Sequence, residues 1–184
     1  MIEAFGFKQQ LTMSNGVISS MDVPSLLMDQ IPGALGVRKA DTADDKQGTD
    51  YFVDHSRGVP VSIDIKARDI DPIDTYKSDD LALETWSVMR SKRVWTWDNS
   101  KRTDYILWLF APTKRYCLVP FHPLQSAFIK NARAWCKEYK RVAQPNHGYR
   151  SECVFVPRNV VWRAIYEVSN GNVGIGHAAP VGLQ

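Results

Sequence analysis

The chain has 184 residues and only three cysteines, Cys117, Cys136 and Cys153, none of them in a CxxC pair. That spacing offers no zinc site. Cys117 and Cys153 lie in strand-like runs and Cys136 on a helical face, which predicts buried free thiols in a reducing compartment. There is no uninterrupted apolar run of membrane-spanning length and no charged-then-apolar leader at the start, so a cytoplasmic protein with no membrane partner is expected. Internal repeats are missing. Gly171, Gly174 and Gly176 follow no phosphate-loop pattern, and no Ser/His/Asp or Cys/His arrangement emerges from spacing, since His122 and His147 adjoin proline or glycine in loops. Strong charge of one sign is also lacking. Lysine and arginine number 23 against 20 acidic residues, for a net charge of +3 and a pI near 8.7. A mildly basic chain permits a nucleic-acid partner without requiring one.

What is present is ordinary globular material: 44% hydrophobic and 23% charged residues, enough for one domain with a buried core. Residues 1–168 are expected to form that domain, with the glycine-rich end, 169–184, as a flexible tail. Proline-led apolar spacing predicts a short helix over 24–31. Residues 38–49 read as a polar loop in which Asp45 is either loop polarity or an accessory ligand. Strands are predicted at 50–54 and 59–66, joined by the turn His55-Ser56-Arg57-Gly58. Residues 69–80 read as an acidic loop whose Asp69, Asp71, Asp74, Asp79 and Asp80 are solvated. Further strands are expected at 81–89, 105–111, 115–121 and 153–156. A long helix is predicted from 123 to about 142, with Phe128, Ala132, Trp135, Tyr139 and Val142 in one stripe, and a short helix from 158 to about 165. The resulting fold class is mixed α/β (α+β): an antiparallel meander with helices packed on it.

The segments Gly48-Thr49-Asp50-Tyr51-Phe52-Val53 and Val61-Ser62-Ile63-Asp64-Ile65-Lys66 carry the chemistry. Side chains alternate along a strand, so Asp64 and Lys66 share one face while Val59, Val61, Ile63 and Ile65 form the buried one. Two carboxylates and one ammonium at adjacent strand ends suit a divalent metal that activates water beside a phosphate. Glu84 is expected on the face of Ala82 and Trp86. It reads either as a paired strand carboxylate or as a third metal ligand from a neighbouring strand, because an unpaired glutamate is costly to bury there.

These two segments resemble the PD-(D/E)xK nuclease superfamily, which has the restriction-endonuclease-like fold. The runs Asp80–Ser87 and Thr103–Trp108 resemble its small phage-type members. The likeness spans roughly residues 45–121. It implies Mg²⁺ or Mn²⁺ held by Asp50, Asp64 and the carbonyl of Ile65, with Lys66 as the catalytic lysine. DNA is the implied substrate and phage DNA processing a fitting role, in the host cytoplasm if the chain is phage-encoded. Cutting both strands needs two sites, so a homodimer is an accompanying expectation. Thr49 stands where the family usually has proline. At least two extra strands precede the long helix, which an enlarged sheet or an insertion would explain. Glu3 and Asp29 are candidates for an N-terminal acid.

Arg57, Arg68, Arg93, Lys101 and Arg102, with Lys77, Arg90 and Lys92, read as phosphate-neutralising residues around the site. Trp95 and Trp97 lie among them and are expected either to stack bases or to pack as a hairpin on the sheet. Two other readings stay open beside the nuclease: a nuclease-like fold kept as a nucleic-acid- or protein-binding module without turnover, and a structural domain without a site.

Overall fold

A computed structural model describes residues 16, 18, 20–87, 94–146 and 149–171. Helix α1 (Val23–Gln30) starts where the carboxylate of Asp22 accepts the backbone N–H of Ser25 at 3.2 Å, with proline in its first turn. It stops before Pro32-Gly33, where Gly33 takes a φ of +84° that its missing side chain allows. Strands β1 (Ala34–Lys39), β2 (Tyr51–His55) and β3 (Val61–Arg68) then form an antiparallel meander. The turn between β2 and β3 closes with a 2.8 Å bond from Gly58 N–H to the carbonyl of His55. It lies where the sequence predicts a hairpin, although Val59, expected on the buried face, is 71% exposed.

After a short helix, α2 (Thr42–Lys46), between β1 and β2 and another, α3 (Pro72–Tyr76), after β3, the chain departs from a simple meander. Strand β4 (Asp80–Ser87) leaves the main sheet, and β5 (Tyr105–Phe110) returns to pair in parallel with β3. Strand β6 (Arg115–Pro120) folds back on β5, giving a mixed five-stranded sheet of order β1-β2-β3-β5-β6. Helix α4 (Phe121–Glu138) follows, then β7 (Arg141–Asn146), β8 (Tyr149–Pro157) and helix α5 (Arg158–Gly171). A second sheet, β4-β8-β7, is wholly antiparallel. The fold is therefore mixed α+β, with three strands, β4, β5 and β6, between β3 and the long helix.

The core has two parts because β5 is buried on both faces. Leu107 and Leu109 join Val53, Ile63 and Ile65 against Val23 and Leu27 of α1. Ile106, Trp108 and Phe110 join Leu81 and Leu83 of β4, Val154 and Val156 of β8, and Phe121, Leu124 and Phe128 of α4. Asp64 and Lys66 register with Ile106 and Trp108, so they lie on the second of these faces.

Three expectations are corrected. The long helix ends at Glu138, and Val142 belongs to β7, opposite Cys153; pairing with β8 overrides the helical period there. The polar stretch 38–49 contains the end of edge strand β1 and all of α2, and α2 is capped by the carboxylate of Asp41 on the N–H groups of Ala43 and Asp44. The acidic loop is not all solvated. The Asp71 side chain has no exposed surface, accepts the Thr113 hydroxyl and pairs with Arg115 at 2.9 Å. Asp79 takes both Arg115 and Arg158 at 2.6 Å. These ion pairs tie α3 and β4 to β6 and α5. Among the described residues, no helix is long and apolar enough to cross a membrane. Of the predicted tail, 169–171 continue α5, and 172–184 lie outside the described residues.

Candidate active site

The ladder between β2 and β3 ends at Tyr51 and Ile63, where Asp50 N–H still donates to the carbonyl of Ile63 at 2.8 Å. One step further, the Thr49 N–H turns away from β3 to the carbonyl of Asp44 at 3.1 Å. There the carboxylate of Asp50 accepts the N–H of Ile65 at 2.6 Å. A residue's N–H and C=O leave a strand on the same side, so the Ile65 carbonyl is also turned toward the Asp50 side.

Asp64 is 4% exposed and meets two ammonium groups. Lys66 Nζ lies 3.0 Å from its Oδ1 and 2.8 Å from its Oδ2, and Lys101 Nζ lies 2.8 Å from the same Oδ2. That Oδ2 is shielded from water without a directed hydrogen bond. Its contacts with the two ammoniums are thus charge pairing at short range. Burial disfavours the Asp64 carboxylate, but the two lysines together outweigh it and hold its pKa below the usual value. Asp50 goes the other way. Burial and the nearby charge of Asp64 push it up to about 6, against the pull of the Ile65 N–H and Lys66.

Lys101 arrives from 51 positions beyond Asp50 because the chain is clamped there. Thr49 donates its hydroxyl to the carbonyl of Arg102 at 2.5 Å, and Thr103 donates to the carbonyl of Gly48 at 2.7 Å. Lys101 Nζ donates to that same carbonyl at 3.2 Å, with its side chain 7% exposed. Burial lowers the pKa of Lys101, with Asp64 opposing. The sequence placed Lys101 among surface phosphate contacts; in the fold its ammonium faces the acid pair. Gly48, within the motif, was the available signal, because a glycine there leaves room for the close approach of Lys101.

Glu84 is not on a neighbouring strand, since β4 belongs to the other sheet. Its carboxylate is half-buried within electrostatic reach of Lys66 and Arg68, and burial raises its pKa against their attraction. Among the described residues no three His, Cys, Asp or Glu side chains gather as a metal cluster. The acid pair with the Ile65 carbonyl is thus the available donor set. It fits Mg²⁺, which keeps several waters and takes one or two carboxylates plus substrate phosphate. The raised Asp50 is what a buried carboxylate beside the Asp64 charge shows, and a divalent cation between them would offset both.

The remaining residues separate. Trp95 packs on Trp108 at 6.2 Å and on Phe121 at 6.4 Å, with Lys66 Nζ 5.6 Å from its ring centre. It is a wall of the site. Trp97 is 41% exposed and meets Phe128 edge-on at 5.4 Å. It lines a shallow groove with Phe128, Ala132, Arg133, Lys137 and Arg141. Arg102 is exposed beside the clamp, and Arg68 is half-buried near Glu84. Arg57 sits in the turn at the opposite end of the hairpin from Asp50. Asp29 is exposed on α1, which packs on the other face of the sheet, and Asp45 is exposed in α2 without a place in the site. Arg93, Arg90, Lys92 and Glu3 lie outside the described residues.

No family model, curated protein or solved structure matches this chain.

Proposed function

We propose that the protein is a metal-dependent nuclease that hydrolyses DNA phosphodiester bonds, with phage DNA processing as a fitting role. The observation that carries this is the convergence of Asp50, Asp64 and Lys66 at one end of the adjacent strands β2 and β3, with the Asp50 carboxylate bonded to Ile65 N–H and the Lys66 ammonium bonded to Asp64. Asp50, Asp64 and the Ile65 carbonyl would hold Mg²⁺ or Mn²⁺. A divalent ion bound there supplies an acidified water and charge for the departing oxygen.

The chain's own groups do the rest. Asp64 holds Lys66 Nζ at 3.0 Å, and a fixed ammonium at that point orients water and offsets charge that develops on phosphate. The Trp95 ring faces the Lys66 ammonium at 5.6 Å, a cation–π contact that helps hold it in place. The acid pair and its two lysines are close to neutral together, so an added divalent ion leaves net positive charge where a phosphate is to bind. The choice of DNA rests on the resemblance of the D…DxK segments to the PD-(D/E)xK superfamily. A homodimer would place two such sites on the two strands of a duplex.

A second reading has its own observation. Lys66 and Lys101 already neutralise Asp64, as they would in a nuclease-like fold that binds nucleic acid without cutting it. Cleavage of supercoiled plasmid, linear duplex and branched DNA in Mg²⁺ or Mn²⁺ separates the two. The nuclease reading expects metal-dependent cutting by wild type that Asp64→Ala and Lys66→Ala lose by about 10²-fold or more. Binding without cutting by a folded wild type moves the assignment to the binding module.

A further inference from the structure

Within the metal-dependent reading, on which this inference rests, we infer that Lys101 is the resident cation of the acid pair. Its ammonium holds a place that a second divalent ion would otherwise take, so the site accepts one ion.

The ligand chemistry around Lys101 Nζ is that of a hard cation: a carboxylate oxygen of Asp64 at 2.8 Å and a backbone carbonyl oxygen of Gly48 at 3.2 Å. The place is built for it. Gly48 has a φ of +89°, and a β-carbon there would overlap Nζ and crowd Cε at 3.2 Å and Cγ at 3.4 Å. Thr103 holds the Gly48 carbonyl from a second direction at 2.7 Å, which fixes it toward the ammonium. The Asp64 Oδ2 that Lys101 meets is fully shielded from water and faces Lys66 Nζ as well, so the two ammoniums are the cations that satisfy it. Lys66 differs from Lys101. It is 25% exposed on the same strand as Asp64, and its ammonium reaches toward the Trp95 wall, whereas Lys101 is 7% exposed and enters from the opposite clamp.

A divalent ion on the Asp50 side would thus share Asp64 with a fixed positive charge. A second divalent ion would require the oxygens that Lys101 now occupies. The site becomes a one-ion centre in which the protein itself supplies the second positive charge, a charge that needs no recruitment from solution.

The test is stoichiometry. Metal-free full-length protein is titrated with Mn²⁺, with bound ion read by calorimetry and by loss of the free-ion paramagnetic signal, for wild type and Lys101→Met. One ion per chain in wild type and two in the variant is the expected result. Two ions in wild type, or one in both proteins, overturns the inference and leaves the metal-dependent reading standing. No ion bound by wild type defeats that reading, and the inference falls with it. Should Lys101→Met not fold, anomalous scattering from wild-type crystals in Mn²⁺ decides. A single peak with Lys101 Nζ still against Asp64 supports the inference, and a peak in the place of Nζ refutes it.

Discussion

The carboxylate of Asp50 accepts the amide N–H of Ile65 at 2.6 Å, at the step where the β2–β3 ladder would have made its next bond. An acidic side chain thereby completes a backbone pattern while its charge stays close to that of Asp64.

That placement has a pH signature. The folded-state pKa of Asp50, about 6, lies above its ordinary value of 3.8. The metal-free fold therefore holds the proton more tightly than the unfolded chain does. Its stabilising contribution is complete below pH 4 and lost as pH rises through about 6. About two pKa units correspond to roughly 3 kcal/mol. Asp50→Asn keeps an acceptor for Ile65 and removes the charge. Urea unfolding should show the variant more stable than wild type at pH 7.5, by up to roughly 3 kcal/mol, and no more stable at pH 4. Equal stability at both pH values would refute this account.

Asp71 is the structural counterpart. Its buried carboxylate takes Ile73 N–H at 3.0 Å, the Thr113 hydroxyl and the Arg115 guanidinium. Asp71→Ala leaves Arg115 half-paired and α3 without its cap. A loss of about 3–5 kcal/mol is expected in chemical denaturation. A loss below about 1 kcal/mol would mean that Asp79 alone suffices for Arg115.

Trp97 offers a half-exposed indole beside a groove lined by Arg133, Lys137 and Arg141. Trp97→Ala should weaken binding of a single-stranded oligonucleotide by about 1–3 kcal/mol, the usual worth of one stacked base. The quenching of tryptophan fluorescence on titration should shrink with it. Unchanged affinity would return Trp97 to a packing role on Phe128.

The cysteines should separate by burial. Burial pushes the Cys153 thiol up to about 11 and raises Cys117, and both are buried, while Cys136 is half-buried on α4. In the native protein at pH 7.5, an aromatic disulfide reagent should label Cys136 first and leave Cys153 unmodified until unfolding. Equal labelling rates for Cys136 and Cys153 would contradict this.

Much of this was legible along the chain. The alternation Ile63-Asp64-Ile65-Lys66 sorts its side chains by parity, and the fold keeps that sorting: isoleucines against α1, Asp64 and Lys66 together on the other face. The uniformly apolar Tyr105–Phe110 run becomes a strand buried on both faces. Other elements were hidden. Strand β1 has no clean alternation and exists because β2 offers it an edge. Strand β7 lies inside an apparent helical stripe and is drawn out by β8.

Local pattern by itself determined which residues share a face, because the pleat of a strand is a property of the covalent backbone. It could bring Asp64 to Lys66, two positions away, but could not say that β4 would desert the sheet and carry Glu84 to another layer. Nor could it place a lysine 37 positions from Asp64 against its carboxylate. Those outcomes depend on which strand pairs with which and on a clamp between residues 48–49 and 101–103. Such contacts are long in sequence, and their free energy comes from burial and hydrogen bonds that exist only once the sheet has closed.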